Sequence, residues 1–198
     1  MALEEERKNY DIKIYCSDHL SIPDGHNTLT KQALSDGIDL LWFVEEDTVP
    51  LAGALEKLLA VNADIACIDY GVSGWGCVTR NTEGEILWCG LGCTLVKRAV
   101  LEALEKPWFR VDKVLRLNDW TWQDLPEEYI ENRNYGGLDI WFGMKAREKG
   151  FKIVQVEGEC DHLQLKALGE RGKNNGLHEI ILKERISKKQ ILKGGESF

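Results

Sequence analysis

Two rhythms of apolar and polar positions alternate along this chain. Residues 11–16 alternate with a period of two, Ile12 and Ile14 among polar neighbours, and predict a strand; Leu29, Ala33 and Leu34 share one face of a helix predicted over 27–34. Residues 40–44 are an unbroken apolar run, the pattern of a strand covered on both faces of a parallel sheet. Pro50 suits the first turn of a helix, and Leu55, Leu58 and Leu59 recur at helical spacing, so a helix is predicted over 51–61. A second apolar strand follows at 65–68.

Beyond that point the rhythm changes. Residues 77–80 and 85–88 flank Asn81 and Gly84 and read as a β-hairpin, followed by a helix over 97–105. The stretch 107–135 has a weak pattern and is long for a simple connection, as functional loops are. An amphipathic helix is predicted over 138–149, a strand over 151–156, and one or two helices over 177–192. Strands alternating with helices predict an α/β fold, a mostly parallel central sheet flanked by helices, with one β-hairpin and a C-terminal helix. The division expected is one domain over 1–176 and a helical tail over 177–198.

Composition narrows the function classes. The 198 residues carry 25 Lys+Arg against 33 Asp+Glu, a net charge of −8, which removes the broad cationic field of non-specific nucleic-acid binders. No apolar run reaches the roughly 18 residues of a membrane span, and the first residues read acidic and helical, unlike a signal peptide, so a cytoplasmic protein is expected. The six cysteines form no CxxC pair; Cys89 and Cys93 lack a second pair or a nearby His, and Cys16, Cys67 and Cys89 read as small hydrophobes in apolar runs. The tail beyond Glu179 interleaves Lys and Arg with Ile180, Ile181, Ile186 and Ile191; docking on its own domain or another subunit is expected over contact with a membrane surface.

Candidate chemistry begins at Glu45-Glu46-Asp47. Three carboxylates directly after an apolar strand sit at the edge where open α/β sheets place ligands, and hard oxygen donors suit Mg²⁺ or Mn²⁺ bridging a diphosphate. An acidic helix N-terminus explains the same run structurally. Gly90-Leu91-Gly92 precedes a helical pattern, where backbone can approach a ligand closely; with Leu95 in place of a third glycine and no GxxxxGK, it is neither a dinucleotide fingerprint nor a P-loop. Asp139 follows Gly136 and Gly137 at a helix start, as a catalytic acid or a simple cap. His162 lies at a strand end with Glu157, Glu159 and Asp161 nearby, as a ligand or a structural residue. Trp75, Trp108, Trp120 and Trp122 fall outside the regular elements, where they serve acceptor contact or packing.

In this order the motifs resemble the GT-A fold of sugar-nucleotide-dependent glycosyltransferases, especially family 2-like inverting enzymes, over roughly residues 11–165. Glu45-Glu46-Asp47 is similar to that family's DxD motif, Gly90-Leu91-Gly92 to its glycine loop, Leu138-Asp139 to its xED motif, and Asp161-His162-Leu163 to its C-terminal histidine motif. The segment 23–27, with His26 and Asn27, resembles a donor-contacting stretch that often reads Ala-Arg-Asn. Glu45, Leu138 and His26 depart from the usual Asp, Glu and Arg, and the first strand of that fold has no counterpart. The resemblance implies a metal-dependent transfer of sugar from a nucleoside-diphosphate sugar to a hydroxyl acceptor. It implies Asp47 and His162 as ligands of Mn²⁺ or Mg²⁺, Glu45, Glu46, Gly90, Gly92 and Asn27 on the donor side, and Asp139 as the base; if Asp139 is only a cap, Glu128, Glu131 or Asp124 on the tryptophan-rich loop are the next candidates. A truncated, non-catalytic GT-A-like module that binds sugar or protein is the alternative, and a nucleotidyltransferase ranks third for want of a phosphate loop. A sheet lacking its first strand exposes an edge, which the N-terminal segment, the C-terminal helix or a second copy of the chain is expected to cover.

Overall fold

The computed structural model describes residues 2–17, 19–72, 75–125, 137–167 and 178–184. Helix α1 (Ala2–Asn9) is followed by an extended stretch and α2 (Ile22–Ser35), then β1 (Leu40–Phe43), β2 (Thr48–Pro50), α3 (Ala54–Ala60) and β3 (Ile65–Ile68). Next come β4 (Gly71–Val72), β5 (Trp75–Gly76), β6 (Val78–Arg80), β7 (Ile86–Cys89), a 3₁₀ turn (Leu91–Cys93), β8 (Thr94–Lys97) and α4 (Arg98–Ala103). The chain continues through β9 (Lys113–Arg116), β10 (Thr121–Asp124), α5 (Leu138–Glu148), β11 (Ile153–Val156), β12 (Cys160–Ala167) and β13 (His178–Glu184).

The main sheet has the order β1-β8-β3-β11. Only β3 and β11 are parallel neighbours, because β8 runs antiparallel to both β1 and β3. The α/β class stands, and the mostly parallel sheet is replaced by a mixed one. Period-two alternation builds its two faces. Ile65, Cys67, Val96 and Leu41 face α2, α4 and α5 in one cluster with Trp108, Phe109 and Phe142, while Ala66, Ile68 and Leu95 face α3 through Leu55 and Leu58 in another. Strand β3 is buried at every position, and its two isoleucines, Ile65 and Ile68, each stabilise the fold by about 1.5–3 kcal/mol relative to exposure. A second sheet, β13-β12-β2, lies beside the first, and the 45–47 connector carries the chain from one to the other.

Several elements differ from the sequence expectation for identifiable reasons. Residues 11–16 form no strand; their alternation places Tyr10 and Ile12 against one cluster and Tyr15 against the other without a ladder, and Cys16 is exposed. Helix α2 starts five residues before the predicted start because Ser21 caps it and Pro23 occupies its first turn. Strand β1 is an edge, so Leu40 is 40% exposed and the run is not covered on both faces. Pro50 ends β2 opposite Cys160, and α3 begins only after Gly53, whose φ of +79° turns the chain. The N–H of Gly53 donates to buried Glu6 at 2.9 Å, tying α1 to the start of α3. The stretch from 107 holds the β9–β10 hairpin. Residues 178–184, predicted helical, are a strand antiparallel to β12; the rest of the expected tail, residue 177 and 185–198, lies outside the described residues. Among the described residues no helix is long and apolar enough to cross a membrane.

Candidate functional site

Topology explains why distant motifs meet. Strands β1, β3 and β11 point the same way and β8 the other, so one edge of the sheet gathers the chain leaving β1, β3 and β11 and the chain entering β8. Those four connectors carry Glu45 to Asp47, Asp69 and Tyr70, the segment ending in β12, and Gly90 to Cys93. This is the carboxyl edge at which open sheets place ligands.

The acidic connector is a closed turn. Thr48 N–H donates to the Glu45 carbonyl at 3.1 Å, and the Leu163 N–H donates to the Asp47 carbonyl at 2.6 Å. The ladder between β2 and β12 then sets His162 opposite Thr48. As a result Asp47 Oδ2 and His162 Nε2 lie 3.1 Å apart, although 115 residues separate them. A carboxylate accepts only, so Nε2 carries the proton in this arrangement, and His162 Nδ1 is buried without a hydrogen-bond partner. Tyr70 packs its ring 5.7 Å from that of His162 and accepts the Gly92 N–H at 3.0 Å.

Glu45 is half-buried, and burial, with the charges of Asp47 and Asp139 next, pushes its carboxyl up to about 7. Glu46 is exposed and takes no part in this contact. Asp139, in the first turn of α5, accepts N–H groups from Ile140 at 2.9 Å and Gly137 at 3.3 Å. Burial raises its carboxyl all the same, opposed by those N–H groups and by His26. Burial holds His26 down; its Nδ1 lies 2.9 Å from the Ile22 carbonyl and its ring stacks on Phe43. Three carboxylates and two histidines from four separated stretches are thus linked pairwise, Asp47 to His162 by direct contact and Glu45 to Asp47 and Asp139, and Asp139 to His26, by charge.

Other candidates are committed elsewhere. Asn27 donates to the Phe109 and Pro23 carbonyls, both at 2.8 Å, and accepts the Phe109 N–H at 3.2 Å, which spends its amide on clasping α2 to buried Phe109. Gly90 and Gly92 are buried, and the close approach they allow is by protein: a Cβ at Gly90 would meet the Tyr70 hydroxyl at 2.3 Å, and one at Gly92 the Thr48 methyl at 2.4 Å. A four-residue strand, β8, also separates them from α4. Trp108 is buried and donates to the Leu101 carbonyl at 2.7 Å, so it is a core residue. Trp122 packs edge-on against Trp141 at 4.8 Å, with Lys145 and Arg110 over the Trp141 ring, which fastens the β9–β10 hairpin to α5. Trp75 and Trp120 are 68% and 49% exposed. Asp124 is on β10, ion-paired with Lys113, whereas Gly136, Glu128 and Glu131 lie outside the described residues.

No family model and no curated protein matches the sequence. Among solved structures, the crystal structure of A197 from STIV resembles this chain with a TM-score of 0.57 at 19% identity, covering 84% of this chain and 81% of that one. The likeness is one of fold.

Asp47 and His162 fit a divalent cation as a minimal two-point set. Ligand atoms at about 2.1 Å from an octahedral ion lie about 3 Å apart, which the Oδ2–Nε2 spacing matches, and such ions keep water and phosphate oxygens in their remaining positions. Among the described residues no group of three or more His, Cys, Asp or Glu gathers into a fuller site. Thr48 and Tyr70 escaped the sequence reading. Tyr70 stands just past the end of β3, where strand-end residues are ligand-side, and Thr48 hid inside a motif read only for its acids.

Proposed function

We propose that the chain is a GT-A-like glycosyltransferase that uses a divalent cation to move a sugar from a nucleoside-diphosphate sugar to a hydroxyl acceptor, with inversion. The observation that supports this reading is the 3.1 Å contact of Asp47 with His162 at the sheet edge, with Glu45 close enough to Asp47 and Asp139 to feel both charges. Asp47 and His162 would hold the ion, His162 as the tautomer whose single proton is on Nδ1, which leaves the Nε2 lone pair free. A bound cation supplies positive charge against the leaving diphosphate. Asp139 takes the acceptor hydroxyl proton, and its raised pKa makes it a stronger base than an exposed carboxylate. Glu45, beside Asp47, faces the donor ribose or the waters of the ion. Exposed Trp75 and Trp120 offer apolar faces to an acceptor.

The same reading separates base from cap. Asp139→Asn keeps an oxygen for the Ile140 and Gly137 N–H groups but cannot take a proton, so donor binding persists while turnover falls about 10²–10⁴-fold. Product formation with a panel of nucleoside-diphosphate sugars checks this, and near-native transfer by the mutant would remove Asp139 from the mechanism. One set of observations favours a non-catalytic sugar- or protein-binding module: Asn27, Gly90 and Gly92 are all engaged within the protein. Donor binding without turnover in the native chain, across the panel, would select that reading.

A further inference from the structure

Thr48 is 5% exposed, and its hydroxyl touches three backbone groups: the Glu45 N–H at 3.1 Å, the Glu45 carbonyl at 2.9 Å and the Gly92 carbonyl at 2.7 Å. A hydroxyl has one proton. The Glu45 carbonyl already accepts the Thr48 N–H, and the Gly92 carbonyl is the nearer acceptor, so the proton goes to Gly92 while the oxygen accepts from Glu45. One side chain thus closes the acidic turn and moors it to the 3₁₀ turn of the next connector. Its methyl fills the space that only glycine leaves at position 92. On its other side Thr48 stands opposite His162 in the ladder, with Asp47 before it in sequence.

We propose that Thr48 is the positioning residue that holds Asp47 against His162 and so sets the cation affinity of the site, without itself being a ligand. The cation half of this rests on the proposed function; the geometric half does not. A threonine here is worth more than a valine of the same shape because valine leaves the Glu45 N–H and the Gly92 carbonyl unpaired next to the site. The turn then loses its mooring while the apolar packing survives.

The test compares Thr48→Val and Thr48→Ser with the native chain, first without metal. Amide hydrogen exchange at Glu45 and imidazole ¹⁵N spectra of His162 at one fixed pH report the turn and the Nε2–H tautomer that Asp47 holds. Thr48→Val is expected to lose Glu45 protection tenfold or more and to mix the tautomers, and Thr48→Ser to stay within about threefold of native. A Val variant that keeps both signals overturns the proposal, as does a Ser variant that loses both, which also decides the matter if Thr48→Val does not fold. Mn²⁺ titration follows, with at least tenfold weaker binding expected for Val and native binding for Ser. A native chain that binds no Mn²⁺ overturns the cation half and the proposed function with it, while the metal-free signals still decide whether Thr48 holds the pair.

Discussion

Glu45 carries a charge in surroundings that oppose it, and the sign of the consequence can be worked out. Its carboxyl rises from an ordinary 4.5 to about 7, so the folded protein holds this proton more tightly than the unfolded chain does. The stabilisation that protonation gives is complete below about pH 4.5 and is lost as pH climbs through 7. In metal-free buffer Glu45→Gln, which never charges, should therefore match the native chain near pH 4.5 and exceed it at pH 8. With Glu45 only half-buried, the gain is on the order of 1–3 kcal/mol. Urea unfolding at the two pH values measures it, and an equal or lower stability of the Gln variant at pH 8 would contradict the burial argument. Such a cost at one residue is what a site built to receive positive charge would show. Asp47 and His162, by contrast, partner each other at 3.1 Å.

At the scale of elements, the clasp between α2 and the segment after α4 does the positioning. Asn27 holds both the N–H and the carbonyl of Phe109, and Phe109 in turn packs against His26, Phe43 and Phe142, the last on the helix that carries Asp139 in its first turn. Asn27→Ala strips these bonds from a buried residue and should cost about 2–4 kcal/mol by thermal or urea unfolding, since buried backbone groups are left unpaired. A change within 0.5 kcal/mol would show that the clasp is incidental. Legibility in the sequence follows the same division. Elements whose pattern reports local periodicity were readable: the hairpin of β6 and β7, the buried run of β3, helix α5. Those decided by a distant partner were not. Pro50 reads as a helix opener until β12 pairs with it, Ile180 and Ile181 read as helical until their segment ladders onto β12, and Thr94 to Lys97 read as the approach to a helix until the sheet closes around them. The acids and His162 were legible because their types are unusual at strand ends, whereas Thr48 and Tyr70 matter through contacts no spacing shows.

For the molecule as a whole, β8 is the strand that makes the site. Running against its neighbours, it brings the 3₁₀ turn to the same edge as the ends of β1, β3 and β11, where the Gly92 carbonyl moors the acidic turn through Thr48, while the β2–β12 ladder brings His162 to Asp47. In the proposed function this edge binds a nucleoside diphosphate through a divalent cation held by Asp47 and His162. Calorimetric titration of a nucleoside diphosphate with Mn²⁺ or with chelator, on the native chain and on Asp47→Ala, tests it most directly. The native chain is expected to bind with Mn²⁺, and affinity to fall at least tenfold both with chelator and in a folded Asp47→Ala variant, because a charged ligand is removed from a sheet edge and no core contact is touched. Equal affinity with and without the ion, or in the variant, would contradict it.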